Sequence, residues 1–132
     1  PGSTLFPYTT LFLSLSNIQQ YIGDKLLALS AAGAEIVVAP SAFTHTTGSA
    51  HWHVLARARA IENLVTVIAP NQAGHHASGR QTYGHSLIVD SWGQIKAEAQ
   101  TDANEVVVAT VDRKRVHTLR EGFPCLSHRR LF

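Results

Sequence analysis

The stretch from Gly33 to Gln72 constrains the fold of this chain more than any other. It contains two short apolar runs, Ile36–Ala39 and Val65–Ala69, separated by the Ala- and Arg-rich segment Ala50–Asn63, whose composition favours a helix. Strand, helix and strand at this spacing form a βαβ unit, and a right-handed crossover makes its two strands parallel. Because the runs are apolar at nearly every position, we expect strands that are buried on both faces.

Each apolar run ends in Ala-Pro and is followed by a small polar residue, Ser41 after the first run and Asn71 after the second. Open α/β sheets place their chemistry beyond the carboxyl ends of their parallel strands. We therefore expect the functional site to lie around Ser41–Phe43 and Asn71–Gln72.

The residues before the βαβ unit predict a helix that ends at Gly33, because glycine suits the C′ position of a helix. Ser16–Gln19 has the Ser-x-x-Gln form of a capping box. Asp24 offers a second start for the helix, since Gly23 weakens helix continuity.

The residues after the βαβ unit predict a hairpin, one more strand and a short helix. Ser86–Asp90 and Ile95–Ala99 flank the turn Ser91–Gln94 and form the hairpin. Glu105–Val111 is apolar and should be a strand, whereas Arg113–Glu121 has short helical character.

The crossover helix places four side chains on one side. Trp52, Leu55, Arg59 and Glu62 fall at positions i, i+3, i+7 and i+10. Arg59 and Glu62 are three residues apart and can form an ion pair. Two interpretations of this pair stay open: a solvated surface pair, or a buried pair beside Trp52 that orients its neighbours.

Length, charge and cysteine content restrict the partners. The 132 residues suit one domain, and a net charge of +2 with few clustered basic residues gives no reason to expect nucleic acid. No apolar run approaches the roughly 20 residues that span a bilayer, so we expect no membrane partner. The single cysteine, Cys125, fits a reducing compartment, and we expect a cytoplasmic protein.

The histidines are candidate metal ligands, and the single thiol is a candidate nucleophile. His51 and His53 point about 200° apart on a helix and cannot share one ion. His75 and His76 have no Cys, Asp or Glu nearby at the spacing of a zinc site. We expect no metal and no cofactor, with a histidine-based metal site as a weaker alternative that zinc titration would test. Cys125 lies in the tail, and we interpret it as an incidental thiol rather than a nucleophile.

Five sequence blocks, in this order, resemble the carbon–nitrogen hydrolase (nitrilase) superfamily, closest to its amidase branch of omega-amidases and deaminated-glutathione amidases. The blocks are LSAAGAEIVVAPSAFT, HWHVLARARAIEN, VIAPNQAG, YGHSLIVDSWGQI and HRRLF. The resemblance covers roughly Leu26 to Phe132. It implies an α/β fold, the C-terminal part of an αββα sandwich in which mixed sheets lie between layers of flanking helices.

The leader, residues 1–16, differs in character from the partial carbon–nitrogen hydrolase domain that we assign to residues 17–132. Thr4–Phe12 (TLFPYTTLF) resembles the translation of a common sequencing-adapter primer. We interpret residues 1–16 as foreign, with a natural disordered or β-prone leader as the alternative.

Members of this superfamily hydrolyse amides or nitriles with a Glu base, a Lys that stabilises the oxyanion and a Cys that forms a thioester, and they need no metal. The resemblance implies a small-molecule amide as substrate, an omega-amide or a deaminated peptide amide, and a homo-oligomer. The family Cys lies in a Cys-Tyr-Asp-Leu-Arg-Phe-Pro motif before the first helix. An ungapped overlay puts Asn17 at that Cys, and Asn17–Gly23 match none of the motif. We therefore expect no catalytic residue and no activity in the chain alone.

Two sets of residues carry over from the family by position. The substrate-pocket residues are Ser41, Ala42 and Phe43, and the site-supporting residues are Trp52, Arg59, Glu62, Asn63 and His85. Two interpretations of the chain follow. It is either part of a Cys-dependent amidase or a non-catalytic pseudoenzyme module that assembles with a partner supplying the other sheet.

Overall fold

The structure, a computed structural model, describes residues 10–12, 19–100, 104–128 and 130. The elements in chain order are β1 (Thr10–Phe12), α1 (Gln19–Ala31), β2 (Ile36–Val38), α2 (His45–Asn63), β3 (Thr66–Ala69), β4 (Ala73–His75), β5 (Gln81–Tyr83), β6 (Leu87–Val89), β7 (Ile95–Glu98), α3 (Arg113–Gly122) and a 3₁₀ turn at Cys125–His128.

The described residues form one five-stranded mixed sheet, in the order β1-β2-β3-β6-β7, and a separate hairpin of β4 and β5. β1, β2 and β3 run parallel to one another, whereas β6 is antiparallel to both β3 and β7. The predicted βαβ unit is therefore confirmed as β2–α2–β3, with parallel strands. The predicted hairpin is confirmed as β6 and β7, and the α/β class with a mixed sheet and flanking helices is confirmed with them.

The end of α1 follows the prediction at Gly33. The backbone N–H of Gly33 donates to the C=O of Ser30 at 3.0 Å, and the N–H of Ala34 donates to the C=O of Leu29 at 3.0 Å. These two bonds define a Schellman motif. Gly33 has a φ of 95°, which a residue without a Cβ adopts at no steric cost.

The start of α1 departs from the prediction. Asp24 lies inside the helix, which continues through Gly23, so the second helix start expected at Asp24 is wrong. In the predicted capping box, Ser16–Ile18 lie outside the described residues. Three residues of the leader, Thr10–Phe12, form the edge strand β1 beside β2. The foreign origin of the leader stays a prediction.

α2 begins at His45, earlier than the predicted Ala50, because Thr44 caps it. The side-chain oxygen of Thr44 accepts a hydrogen bond from the backbone N–H of Thr47 at 3.3 Å, which satisfies one of the unpaired donors of the first turn. The helix is followed by Leu64, whose φ of 45° and ψ of 53° are left-handed.

The core lies where α1 and α2 cover one face of the sheet. Its buried residues are Leu26, Ala34, Val37, Trp52, Ala56, Ala60, Val65, Val67, Ala69, Leu87 and Val89. The small side chains of Ala56 and Ala60 permit close approach of α2 to the sheet. Each fully buried Leu or Val contributes about 1.5–3 kcal/mol. None of the helices in the described part of the chain is long and apolar enough to cross a membrane.

Residues 104–112 depart most from the prediction. Glu105–Val111 was expected to be a strand, but none forms there, so this prediction is wrong. Val106 and Val108 are 89% and 82% exposed. A strand requires a hydrogen-bonded neighbour for its backbone groups, and no strand of the described ranges pairs with this run.

The short helix predicted after this run is α3, and polar contacts anchor it to the sheet. Glu35, directly before β2, forms ion pairs with Arg113 and His117 of α3. The guanidinium of Arg120 donates to the backbone carbonyls of Ala34 at 2.6 Å and Leu64 at 3.2 Å. α3 is therefore fastened to the segments that lead into β2 and β3.

Candidate functional site

The two strand ends that the sequence singled out lie side by side. Ser41 and Asn71 form a parallel bridge beyond β2 and β3. The backbone N–H of Ser41 donates to the C=O of Pro70 at 2.8 Å, and the N–H of Gln72 donates to the C=O of Ser41 at 2.9 Å. This carboxyl edge of the parallel strands is where open α/β sheets bind ligands.

Asn71 connects three segments at this edge. Its side chain is buried, with Oδ1 accepting from the backbone N–H of Phe43 at 3.0 Å and Nδ2 donating to the C=O of Gly84 at 2.7 Å. Its backbone N–H donates to the hydroxyl of Ser86 at 2.9 Å. Because the Asn71 side chain is buried and both of its polar atoms are bonded, it holds the loop that carries Phe43 in place.

A small apolar recess, with a cavity volume of about 40 Å³, opens beside the strand ends. Its lining includes Ser41, Phe43, Trp52 and Arg59, all of which sequence reasoning assigned to the pocket or its support. The rings of Phe43 and Trp52 pack with their centroids 5.0 Å apart. The indole N–H of Trp52 donates to the C=O of His85 at 2.7 Å. An apolar lining with few polar groups is typical of sites that bind small organic ligands.

The ion pair between Arg59 and Glu62 forms as expected, with 2.8 Å between Nη1 and Oε2. The side chain of Glu62 is 56% exposed and that of Arg59 is 23% exposed. Water therefore reaches the carboxylate, and such a pair contributes less than about 1 kcal/mol. The geometry favours the solvated interpretation for Glu62, while Arg59 stays at the edge of the recess.

Two further predicted residues lie outside the recess lining. Asn63 is buried at the end of α2, where its Nδ2 donates to the C=O of Arg59 at 2.9 Å and its own C=O accepts from the Ser30 hydroxyl at 2.8 Å. The bond from Ser30 holds α2 against α1, whereas the bond to Arg59 lies within α2. Ala42 is exposed, and its C=O accepts from the guanidinium of Arg80 at 3.1 Å. Its side chain does not contribute to the wall.

His85 stands behind the recess in a cluster with His53 and Glu98. The carboxylate Oε1 of Glu98 lies 2.6 Å from Nε2 of His53 and 3.1 Å from Nδ1 of His85. The ring of Tyr83 stacks on the ring of His85, with centroids 4.4 Å apart. His85 has a φ of 55°, an uncommon backbone conformation for a residue with a Cβ.

The charge state of Glu98 reflects this cluster. Burial by itself raises the pKa of Glu98. Hydrogen bonds from His53 and His85, together with the charges of those rings, lower it by more, so the pKa lies below the usual value for a glutamate. The carboxylate is therefore ionised wherever the pH is above that usual value, and it is available as an acceptor or a ligand.

Sequence reasoning missed this cluster, because it compared only histidines that are neighbours in sequence. His51 and His53 lie on a helix and point in different directions, as expected. Glu98 is 45 residues from His53, and only the pairing of β7 with β6 brings its carboxylate to the two rings. No local pattern marks such a group. Cys125 lies in the 3₁₀ turn, outside the recess lining.

A comparison with known families decides the class of this protein. The family model described as carbon–nitrogen hydrolase matches residues 19–121. The chain belongs to the carbon–nitrogen hydrolase family. This match confirms the resemblance that the five sequence blocks carry.

The relatives of this carbon–nitrogen hydrolase include named amidases. The chain is 42% identical over 108 residues to the deaminated glutathione amidase of Dictyostelium discoideum. This match covers 82% of the chain and 37% of the relative. The chain is 46% identical over 104 residues to the deaminated glutathione amidase of Homo sapiens, covering 79% of the chain and 32% of the relative.

A solved structure supports the same fold assignment for this carbon–nitrogen hydrolase. The crystal structure of the C. elegans NitFhit protein superposes with a TM-score of 0.76 at 47% identity, covering 80% of the chain and 25% of that protein. The chain therefore spans about a third or less of the length of these relatives.

Proposed function

We propose that this chain forms the scaffold and part of the substrate pocket of a Cys-dependent amidase, which hydrolyses a small omega-amide or a deaminated peptide amide. The observation that carries the proposal is the apolar recess at the carboxyl ends of β2 and β3, closed on one side by Trp52 and Arg59 of α2. The 42% and 46% identity to deaminated glutathione amidases supports it.

The chemistry of such an amidase assigns this chain a positional role. A Cys thiolate attacks the amide carbon, ammonia leaves from an omega-amide or the amine of the remaining peptide leaves from a peptide amide, and water hydrolyses the thioester to a carboxylate. A Glu carries the protons and a Lys stabilises the oxyanion. We place those three residues outside the 132 residues, because Asn17–Gly23 do not match the Cys motif. Asn71 positions Phe43, and the rings of Phe43 and Trp52 form a wall that excludes water.

This proposal makes the complete amidase a cytoplasmic homo-oligomer, and its hydrolytic chemistry needs no metal or cofactor. The 132-residue chain alone gives no amide turnover. Measurable thioester formation or ammonia release by the isolated chain would contradict this part of the proposal.

The first experiment is to read independent source DNA across the codons for Pro1–Asp24 and to express the longest frame found. We expect a longer frame with Glu, Lys and Cys, and a product that releases ammonia from omega-amides. In that product, Phe43→Ala should raise KM by removing a wall of the pocket, whereas the control Val54→Ala, at a 67% exposed position of α2 outside the recess lining, should not. A longer frame whose product has no amidase activity would overturn the proposal.

A second candidate function is a non-catalytic assembly module. The exposure of Val106 and Val108, 89% and 82%, favours it because these side chains offer an apolar surface to a partner. If the codons for Pro1–Asp24 persist in the source DNA, this candidate becomes the one to test. A monodisperse monomer with a sharp cooperative melt would contradict it.

A further inference from the structure

Two imidazoles and one carboxylate from distant parts of the chain converge on one point behind the recess. His53 comes from α2, His85 from the loop before β6, and Glu98 from the end of β7. One ligand atom from each lies within 4.8 Å of the other two. Among the described residues, these three side chains form the group that could hold a metal ion.

The donor set fits a transition metal better than an alkaline-earth ion. Zn²⁺ and its first-row neighbours take imidazole nitrogen and carboxylate oxygen, whereas Mg²⁺ and Ca²⁺ prefer oxygen alone. Ligand atoms lie about 2.0–2.2 Å from Zn²⁺, so neighbouring ligands stand roughly 3.3 Å apart in a tetrahedral site. Oε1 of Glu98 lies 2.6 Å and 3.1 Å from the two ring nitrogens. A shift of the Glu98 Oε1 atom by less than about 1 Å would make room for the ion.

Accessibility and support also fit a site of this kind. The side chains of His53, His85 and Glu98 are 31%, 29% and 22% exposed, so an ion can enter and a water can fill the fourth position. The backbone C=O of His85 is held by the indole of Trp52 at 2.7 Å, and the ring of Tyr83 stacks on its imidazole. These two contacts hold the backbone and the ring of His85 in place.

We propose that His53, His85 and Glu98 bind one divalent transition-metal ion of the zinc class, which ties α2 to the edge strand β7. Among the described strands, β7 lies at one end of the sheet and pairs with β6 alone. Coordination therefore adds a link at an edge of the sheet. The site stands apart from the recess lining and does not depend on the amidase proposal.

The test uses the whole 132-residue chain, freed of metal and titrated with Co²⁺, whose visible absorption reports a tetrahedral nitrogen and oxygen site. We expect saturation at one equivalent per chain, displacement by Zn²⁺, and a rise in the melting temperature with added Zn²⁺. His53→Gln and Glu98→Gln should each weaken binding by at least about tenfold. The matched control is His51→Gln, an exposed histidine of the same helix, which should bind as the unaltered chain does.

A second measurement removes any dependence on how well the variants fold. In the unaltered chain, imidazole NMR signals of His53 and His85 should shift on addition of Zn²⁺, while those of His51 and His75 stay in place. The proposal is overturned by no saturable binding, by equal weakening in His51→Gln, or by shifts confined to the other histidines.

Discussion

The carboxamide of Asn71 joins the loop after β2 to the loop before β6, because it accepts from the backbone N–H of Phe43 at 3.0 Å and donates to the C=O of Gly84 at 2.7 Å. Phe43 forms one wall of the recess. The position of that wall is therefore set by a buried polar side chain on the neighbouring strand end.

Replacing this carboxamide should destabilise the chain. Asn71→Ala leaves the Phe43 N–H and the Gly84 C=O without their partner, and we expect the free energy of unfolding to fall by about 1–3 kcal/mol. Urea denaturation followed by far-UV circular dichroism measures this. The control is Gln72→Ala, whose side chain is exposed, with an expected change within about 0.5 kcal/mol. Equal effects of the two variants would show that Asn71 has no special role.

The ion pairs of Glu35 should make stability depend on acid. The hydrogen bond from Arg113 lowers the pKa of Glu35, burial opposes this, and the charges of Arg113, His117 and Arg120 lower it again, so the pKa lies below the usual value for a glutamate. A carboxyl whose folded pKa is depressed contributes stability above its unfolded pKa, and that contribution is lost as pH falls through the folded pKa.

Glu35→Gln tests this dependence. We expect the variant to be about 1–2 kcal/mol less stable than the unaltered chain near pH 7, and the difference to shrink as pH falls below about 4.5. Urea midpoints measured across this range give the answer. Glu121→Gln, at an exposed position of α3, serves as the control. A difference that stays constant with pH would contradict the ion-pair explanation.

The interior glycine of α2 should resist substitution. A Cβ at Gly48 would stand 2.3 Å from Cβ and 2.4 Å from Cγ of Tyr83, and neither atom is the free end of a flexible chain. The strain of about 1–3 kcal/mol outweighs the gain of about 1 kcal/mol from alanine's helix propensity. We expect Gly48→Ala to lower the urea midpoint. Gly122→Ala, where nothing lies within 4 Å, should leave it unchanged or raise it.

The two exposed valines of residues 104–112 should promote self-association. The double variant Val106→Lys/Val108→Lys should reduce light scattering at high protein concentration, because two exposed apolar side chains become charged. The free energy of unfolding should change by less than about 0.5 kcal/mol per site. Val54→Lys is the control, since Val54 is 67% exposed on a different element, α2. A similar gain in solubility from Val54→Lys would assign the effect to net charge.

Local signals predicted the central part of the fold. The apolar runs predicted β2 and β3. Gly33 predicted the end of α1, because a helix end depends on the local backbone conformation, which glycine can adopt. Thr44 extended α2 by a cap that the composition of the helix interior does not reveal. Glu105–Val111 carries the composition of a strand, but a strand depends on a neighbour that the residues themselves do not specify.

For the candidate site too, the sequence predicted the residues that local patterns determine and missed those that the folded sheet brings together. Ser41 and Phe43 follow from the strand ends, and Trp52 and Arg59 follow from the helical period. Ala42, next to them in sequence, lies outside the recess because successive residues of an extended segment point to opposite sides. The group of His53, His85 and Glu98 arises from the register of the sheet, which sequence periodicity does not encode.

One feature of the recess wall gives it an optical property. The indole of Trp52 faces the recess, and its N–H is bonded to the carbonyl of the residue whose imidazole belongs to the histidine cluster. The other tryptophan, Trp92, is 53% exposed near the β6–β7 turn. In a Trp92→Phe variant, the tryptophan emission would therefore come from Trp52 alone. That emission would respond both to a ligand in the recess and to an ion at His85, so both binding events can be followed in one sample without a label.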